Sequence, residues 1–204
     1  MKPDTQDYVI DSYRRTFQQY GDAPEAVQWS AEGQRWRFDK LLEIAASGGG
    51  LQGKRLLEIG CGLGHLYPHI RETVGQADYT GIDIVPEMIA HAQATHPDAT
   101  FECRDIFQNQ ITGSFDYVFI SGVFNAPVRK DSREFLSAMI AHAFAASRIG
   151  LAFNFTSSYV NFTSEGTNYY DPCWVLSEVL HRLSKKVIMH HHYRNCDVAV
   201  HVYR

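Results

Sequence analysis

No apolar stretch in these 204 residues approaches the roughly 20 that a membrane-crossing helix needs, so the sequence offers no membrane partner. The start, Met1-Lys2-Pro3-Asp4, lacks the basic-then-apolar pattern of a secretory signal, and a cytoplasmic setting is expected. Cysteine is scarce and dispersed. Cys61, Cys103, Cys173 and Cys196 include no Cys-x-x-Cys pair, which argues against a disulfide framework or a thiolate zinc site and suits reduced thiols. An excess of charge of one sign is lacking too: 23 acidic and 19 basic residues, scattered along the chain, give a net charge of -4. No long-range field draws in a polyanion, so nucleic acid is not an expected partner. With no low-complexity tract and no internal repeat, 45% apolar and 21% charged residues describe one folded domain plus an appendage.

Hydrophobic periodicity divides the chain into a helical lead and an alternating remainder. Residues 8–20 read as an amphipathic helix ended by Gly21-Asp22-Ala23-Pro24, and Phe38, Leu41, Leu42 and Ala45 predict a second helix over 30–46. Gly48-Gly49-Gly50 breaks the chain there, placing a boundary between an N-terminal helical cap or substrate lid (1–50) and a core (51–204). In the core, β-type runs at 55–59, 79–82, 100–103, 116–120 and 150–155 alternate with helical runs at 63–74, 86–95 and 131–146, the last opened by a capping box of Asp131 and Glu134. Such alternation means parallel strands with crossover helices. Asp171-Pro172 starts a further helix to about residue 183, and 186–191 and 197–203 read as strands joined by a turn at Tyr193-Arg194-Asn195. The expected fold is α/β: a seven-stranded, mostly parallel sheet with a C-terminal antiparallel hairpin, helices on both faces and an N-terminal helical cap.

One segment carries chemistry on its face. Glu58-Ile59-Gly60-Cys61-Gly62-Leu63-Gly64 follows a predicted strand and opens a predicted helix, and a side chain at any of the three glycines would block a ligand from the backbone or strain the turn. By itself the turn suits any ligand of the adenosine class. Asp83 follows 19 residues after Gly64 at a strand end, the separation at which a carboxylate accepts from both ribose hydroxyls, with Ile84 and Met88 flanking the adenosine. The alternative role for Asp83 is to cap the helix that begins at Pro86.

The glycine turn resembles the first motif of the class I S-adenosylmethionine-dependent methyltransferases, acid-x-Gly-x-Gly-x-Gly, and a Rossmann-like sheet ending in a hairpin is that family's plan. The resemblance covers about residues 51–204 and implies S-adenosyl-L-methionine as cofactor. It assigns the Glu58 carboxylate to the donor's ammonium and Gly60, Cys61, Gly62 and Gly64 to its cradle. In Cys103-Arg104-Asp105-Ile106 it gives the adenine amine to Asp105 and packs Ile106 on the ring. Ser121-Gly122-Val123-Phe124-Asn125 then passes beside the sulfonium, where Gly122 permits close approach and Phe124 would sit over the cation. The lead-in Tyr20-Gly21-Asp22-Ala23-Pro24, Trp29 and Arg37-Phe38 is similar to small bacterial members, and that likeness sends Arg37 to the donor's carboxylate.

Methyl transfer from a sulfonium is a direct displacement that demands alignment more than acid–base groups. His65, beside the turn, is the candidate base, equally readable as a helix-face histidine, and Asn125 and Asn154 would orient an acceptor or cap loops. Aromatic residues, among them Tyr13, Tyr20, Trp29 and Tyr169, make an apolar pocket with polar tips suited to a small organic acceptor, although they also read as core. His190, His191 and His192 sit on a predicted strand where neighbours face opposite ways, and no metal is expected. The reading is methyl transfer to an O or N atom of a small molecule. The alternatives are a non-catalytic donor-binding protein and a nicotinamide-dependent oxidoreductase, whose Gly-x-Gly-x-x-Gly pattern places the third glycine one residue later.

Overall fold

Branched and aromatic residues gather in short runs after residue 54, and these become one sheet in the computed structural model, which describes all residues except 1–4, 48, 112, 127–131 and 195. Its strands are β1 (Arg55–Ile59), β2 (Asp78–Asp83), β3 (Thr100–Cys103), β4 (Phe115–Ile120), β5 (Ser147–Thr156), β6 (Val187–His190) and β7 (Asp197–Tyr203). They lie in the order β3-β2-β1-β4-β5-β7-β6. The first five are parallel, and β7 runs antiparallel between β5 and the edge strand β6. The strand order reverses between β1 and β4, which opens a crevice beyond their carboxyl ends.

Alternation along the strands supplies two cores, one on each face. Leu57, Val118, Ile120, Leu151, Phe153 and Val200 face α5 (Ser132–Ala146) and α6 (Pro172–Arg182), packing on Leu136, Ile140, Val175 and Val179. Leu56, Tyr117, Phe119, Ala152 and Ala199 face the other way, onto α2 (Ala31–Leu42), α3 (Leu66–Thr73) and α4 (Pro86–Thr95). Asp171 caps α6, accepting from Cys173 N at 2.7 Å, with Pro172 opening the helix. The Asp131 half of the expected capping box and Asn195 of the expected hairpin turn lie outside the described residues. No described helix is long and apolar enough to cross a membrane.

Two expectations need correction. The helix predicted from residue 63 begins at Leu66, because Gly64 at φ +78° holds the chain out of the helical region. The helix predicted over 30–46 ends at Leu42 and tightens into a 3-10 turn, Glu43–Ser47, that lays Ile44 against Gly150 of β5. α2 is part of the sheet's helical layer, with Phe38 and Leu41 buried in it and His201 Nε2 of β7 2.8 Å from Lys40 O. α1 (Thr5–Tyr20) and the 3-10 turn Pro24–Val27 lie over the crevice, held by Ile10, Tyr13, Phe17 and Val27 against Leu63, Val85 and Met88.

Candidate functional site

β1 delivers Glu58 and then a turn that L-residues resist. Gly60, Gly62 and Gly64 have φ of +76°, +53° and +78°. The turn is tied to the end of β2: Gly60 N and Cys61 N both donate to Ile82 O (2.8 and 3.1 Å), and Gly62 N donates to Asp83 Oδ2 at 2.8 Å. Asp83 Oδ1 accepts from Val85 N at 2.9 Å, so the carboxylate orders the start of α4 as well as the glycine turn. Burial raises its pKa, and these backbone donors oppose the rise.

Glu58 is buried, and desolvation pushes its carboxyl up to about 8 despite a hydrogen bond from the Tyr79 hydroxyl; the Asp83 charge adds to the rise. Neutral Glu58 is therefore common at pH 7, and a cation brought beside it would drive it to ionise.

Two cavities meet at the turn. The larger, about 980 Å³ including its open mouth, is mainly apolar and is bounded by Tyr13, Asp83, Ile84, Met88, Asp105 and Ile106 together with Val123, Phe135 and Met139. The smaller, about 380 Å³, has Glu58, Cys61, Arg37 and His65 in its wall. Val27, Trp29, Gly60, Gly62 and Ser121 belong to both. Fourteen of the expected site residues thus border one continuous crevice, and Gly64 supports it from behind, since a Cβ there would meet the Phe101 ring at 2.7 Å. Burial, aided by the Asp83 charge, raises the Tyr13 phenol to about 12, so it stays protonated at physiological pH.

Several expected residues are placed differently. Phe124 borders neither cavity; it is fully buried, edge-on to Phe135, Phe153 and Tyr170. Gly122 at φ +76° turns the chain so that Val123 faces the crevice instead. Tyr20 is exposed, and the Tyr169 hydroxyl accepts from Ser164 N at 2.9 Å within its own loop. Neither borders a cavity. Asn154 is buried and accepts from Gly122 N at 2.7 Å, which orders the end of β4. Its Nδ2 and the Oδ1 of Asn125 are buried without partners among the described residues, and neither side chain borders the crevice. His65 lies in the wall of the smaller cavity, with Nε2 2.8 Å from Asp22 Oδ1 and Nδ1 3.2 Å from Gln34 Nε2, so the ring ties the N-terminal segment to the turn.

Arg37 reaches the smaller cavity but is already engaged. It stacks on Trp29, donates to both Asp197 oxygens (Nη2 at 2.7 and 2.9 Å, Nε at 3.2 Å) and to Gly33 O at 2.8 Å. Burial lowers the guanidinium's pKa and Asp197 opposes the change. Arg37→Ala is expected to cost about 3 kcal/mol of stability in chemical denaturation, since it leaves a buried carboxylate with only Arg194, 3.3 Å away, as counter-charge. Adding Asp197→Ala should recover part of that loss, and a single variant as stable as the wild type would contradict this account.

Sequence reasoning missed Gln6, whose Nε2 donates to Asp105 Oδ2 at 3.2 Å, and Val123, which sits over Gly60. A signal for Gln6 was present, because Gln6, Val9 and Tyr13 recur at one-face spacing on α1.

The sheet order, the glycine turn and the acids ending β2 and β3 define a nucleotide-type crevice in a methyltransferase-like fold. Residues 56–146 match the family model described as a methyltransferase domain. The chain is 32% identical over 141 residues to the Mycobacterium tuberculosis protein named "Putative methyltransferase Rv1506c", a match spanning 67% of this chain and 84% of that one. It belongs to the class I S-adenosylmethionine-dependent methyltransferases, and S-adenosylmethionine is its methyl donor. The oxidoreductase alternative falls with that assignment. Among solved structures, the magnesium protoporphyrin IX methyltransferase of Synechocystis PCC 6803, with bound S-adenosylhomocysteine, superposes with a TM-score of 0.72 at 18% identity, over 98% of this chain and 100% of that one. The N-methyltransferase NodS of Bradyrhizobium japonicum gives 0.70 at 17% identity, over 98% of each chain. These two likenesses are of fold.

Proposed function

We propose that this chain moves the methyl group of S-adenosylmethionine to an O or N atom of a small organic acceptor. The observation that carries the placement is the paired crevice: an apolar compartment and a polar one joined at a turn whose glycines leave the backbone open. A Cβ on Gly62 would lie 3.1 Å from Val27 and 4.0 Å from Met88 Sδ, so the cradle is one that side chains would fill. The donor has the matching division, a nucleoside at one end and a charged amino acid at the other.

In this reading Ile84, Met88 and Ile106 enclose the adenine, and Asp105 accepts from its amine. Asp83 accepts from the ribose hydroxyls with the lone pairs that Gly62 N and Val85 N leave free. Glu58 accepts from the ammonium, Cys61 lines the same end, and the remaining Nη1 hydrogen of Arg37 faces the carboxylate. S-adenosylmethionine supplies an electrophilic methyl on a sulfonium, displaced in line by an acceptor lone pair. Ser121 and Gly122 border that reaction centre, and Trp29, over Gly122, excludes water from it. α1 serves as the lid. Tyr13 and Trp29 are the aromatic residues placed to meet an acceptor. The balanced surface charge and four unpaired cysteines support a cytoplasmic enzyme with no nucleic-acid partner.

Calorimetric titration with S-adenosylhomocysteine tests the assignment. Asp83→Ala should bind at least about tenfold more weakly, because hydrogen bonds to a charged group contribute about 1.5–3 kcal/mol. An unchanged affinity would remove Asp83 from the donor site. Transfer of label from the donor to a small-molecule fraction of cell extract would support the acceptor class, and transfer confined to protein or nucleic acid would refute it.

A further inference from the structure

We propose that Gln6 reads the nucleobase of the donor, pairing its side-chain amide with the amine and the adjacent ring nitrogen on one edge of adenine while Asp105 holds the other amine hydrogen. The inference rests on the placement of adenine at the end of β3 given above.

The position of Gln6 follows from how α1 is docked. Arg14 Nε donates to Glu87 Oε1 of α4 at 2.6 Å, and Thr16 Oγ1 donates to Ala26 O at 2.6 Å. Ile10, Tyr13 and Phe17 pack on Leu63, Val85 and Met88. None of these contacts involves Gln6, so the helix is held over the crevice whether or not Gln6 has a partner. One face of α1 then points Gln6, Val9 and Tyr13 into the larger cavity, with Tyr13 toward Asp83 and Gln6 toward Asp105.

Asp105 divides its two oxygens between these neighbours. Oδ1 accepts from Phe107 N at 2.9 Å and is spent on its own turn. Oδ2 accepts from Gln6 Nε2 at 3.2 Å, a primary-amide donor chemically akin to the amine of adenine. The carboxylate and the amide thus converge on the spot an exocyclic amine would occupy. A glutamine amide carries a donor and an acceptor side by side, the complement of the amine and N7 edge of adenine. A nucleobase with a carbonyl in place of that amine would set its oxygen against both the Asp105 carboxylate and the Gln6 carbonyl, which gives discrimination by repulsion.

Binding of S-adenosylhomocysteine, of its 7-deaza analogue and of its inosine analogue tests this in the full-length protein. Gln6→Ala, and Gln6→Met, which preserves side-chain length and helix propensity, should each weaken S-adenosylhomocysteine binding about three- to tenfold, the range of one hydrogen bond. The wild type should lose a similar factor with the 7-deaza compound, which lacks the ring acceptor, and the variants should bind the two compounds alike. The inosine analogue should bind the wild type worst. Variants that bind S-adenosylhomocysteine as tightly as the wild type, or more tightly, would overturn the proposal, since a glutamine merely displaced by adenine predicts tightening. Asp105→Asn separates the two levels. Its failure to weaken binding would remove adenine from the end of β3 and with it this inference, whereas weakening by Asp105→Asn alone would refute only Gln6.

Discussion

Gly60→Ala is expected to lower affinity for S-adenosylhomocysteine more than about 100-fold, equivalent to about 2.7 kcal/mol. Two costs combine. An L-residue in the left-handed region loses about 1–2 kcal/mol, and Gly60 sits at φ +76°. The new Cβ would also lie 2.2 Å from Val123 Cγ2, so the turn or the end of β4 must move, at an overpacking cost of about 1–3 kcal/mol. Moving the turn disturbs Gly60 N and Cys61 N, both bonded to Ile82 O, and shifts the backbone that the donor must approach. Thermal unfolding should fall by roughly 5–15 °C on the same grounds. Gly75→Ala is the control: its φ is +100°, but a Cβ there meets nothing within 4 Å, so it should carry only the backbone cost and leave affinity intact. Near-wild-type binding by Gly60→Ala would mean that the turn is not a close-fitting cradle.

The second large effect is at Glu58, and its two parts have opposite signs. Burial raises the folded carboxyl to about 8 from an ordinary 4.5, so the folded state keeps a proton that the unfolded chain releases. Stability from this group is full below pH 4.5 and is lost as pH rises to 8. Glu58→Gln removes that loss, so its melting temperature should rise relative to wild type as pH increases and exceed it most at pH 8 and above. Tyr79 can donate to the amide oxygen as it does to the carboxylate. Donor binding should move the other way, weakening about 10- to 100-fold at pH 8, because the ammonium loses its anionic partner. In the wild type, affinity should climb from pH 6 to 8 as less work is needed to ionise Glu58, with proton release seen when titrations in buffers of different ionisation enthalpy are compared. Affinity independent of pH over that interval, or undiminished in Glu58→Gln, would contradict this role.

The parts of the molecule that could be read from sequence are those set by local rules. β3 (Thr100–Cys103), β7 (Asp197–Tyr203) and α4 (Pro86–Thr95) fall where alternation and proline put them. Glycines at 60, 62 and 64 announced a ligand-facing turn because their conformations are written in the residue type. What stayed hidden depends on distant partners. Arg37 is claimed by Asp197, 160 residues away, and that pair ties α2 to the start of β7. His65 meets Asp22 and Gln34, so its availability was decided by the N-terminal segment. At the end of β4 the exchange of Phe124 for Val123 follows from the sign of φ at Gly122, fixed in turn by Trp29, whose ring leaves no space for a Cβ, and by Asn154 on its N–H.

The most direct measurement is a crystal structure with S-adenosylhomocysteine bound. Adenine density between Ile84 and Ile106, ribose hydroxyls on Asp83 and the homocysteine amine beside Glu58 are the predicted result. Clear density for the nucleoside away from the turn Gly60 to Gly64 would contradict the donor site described for this enzyme.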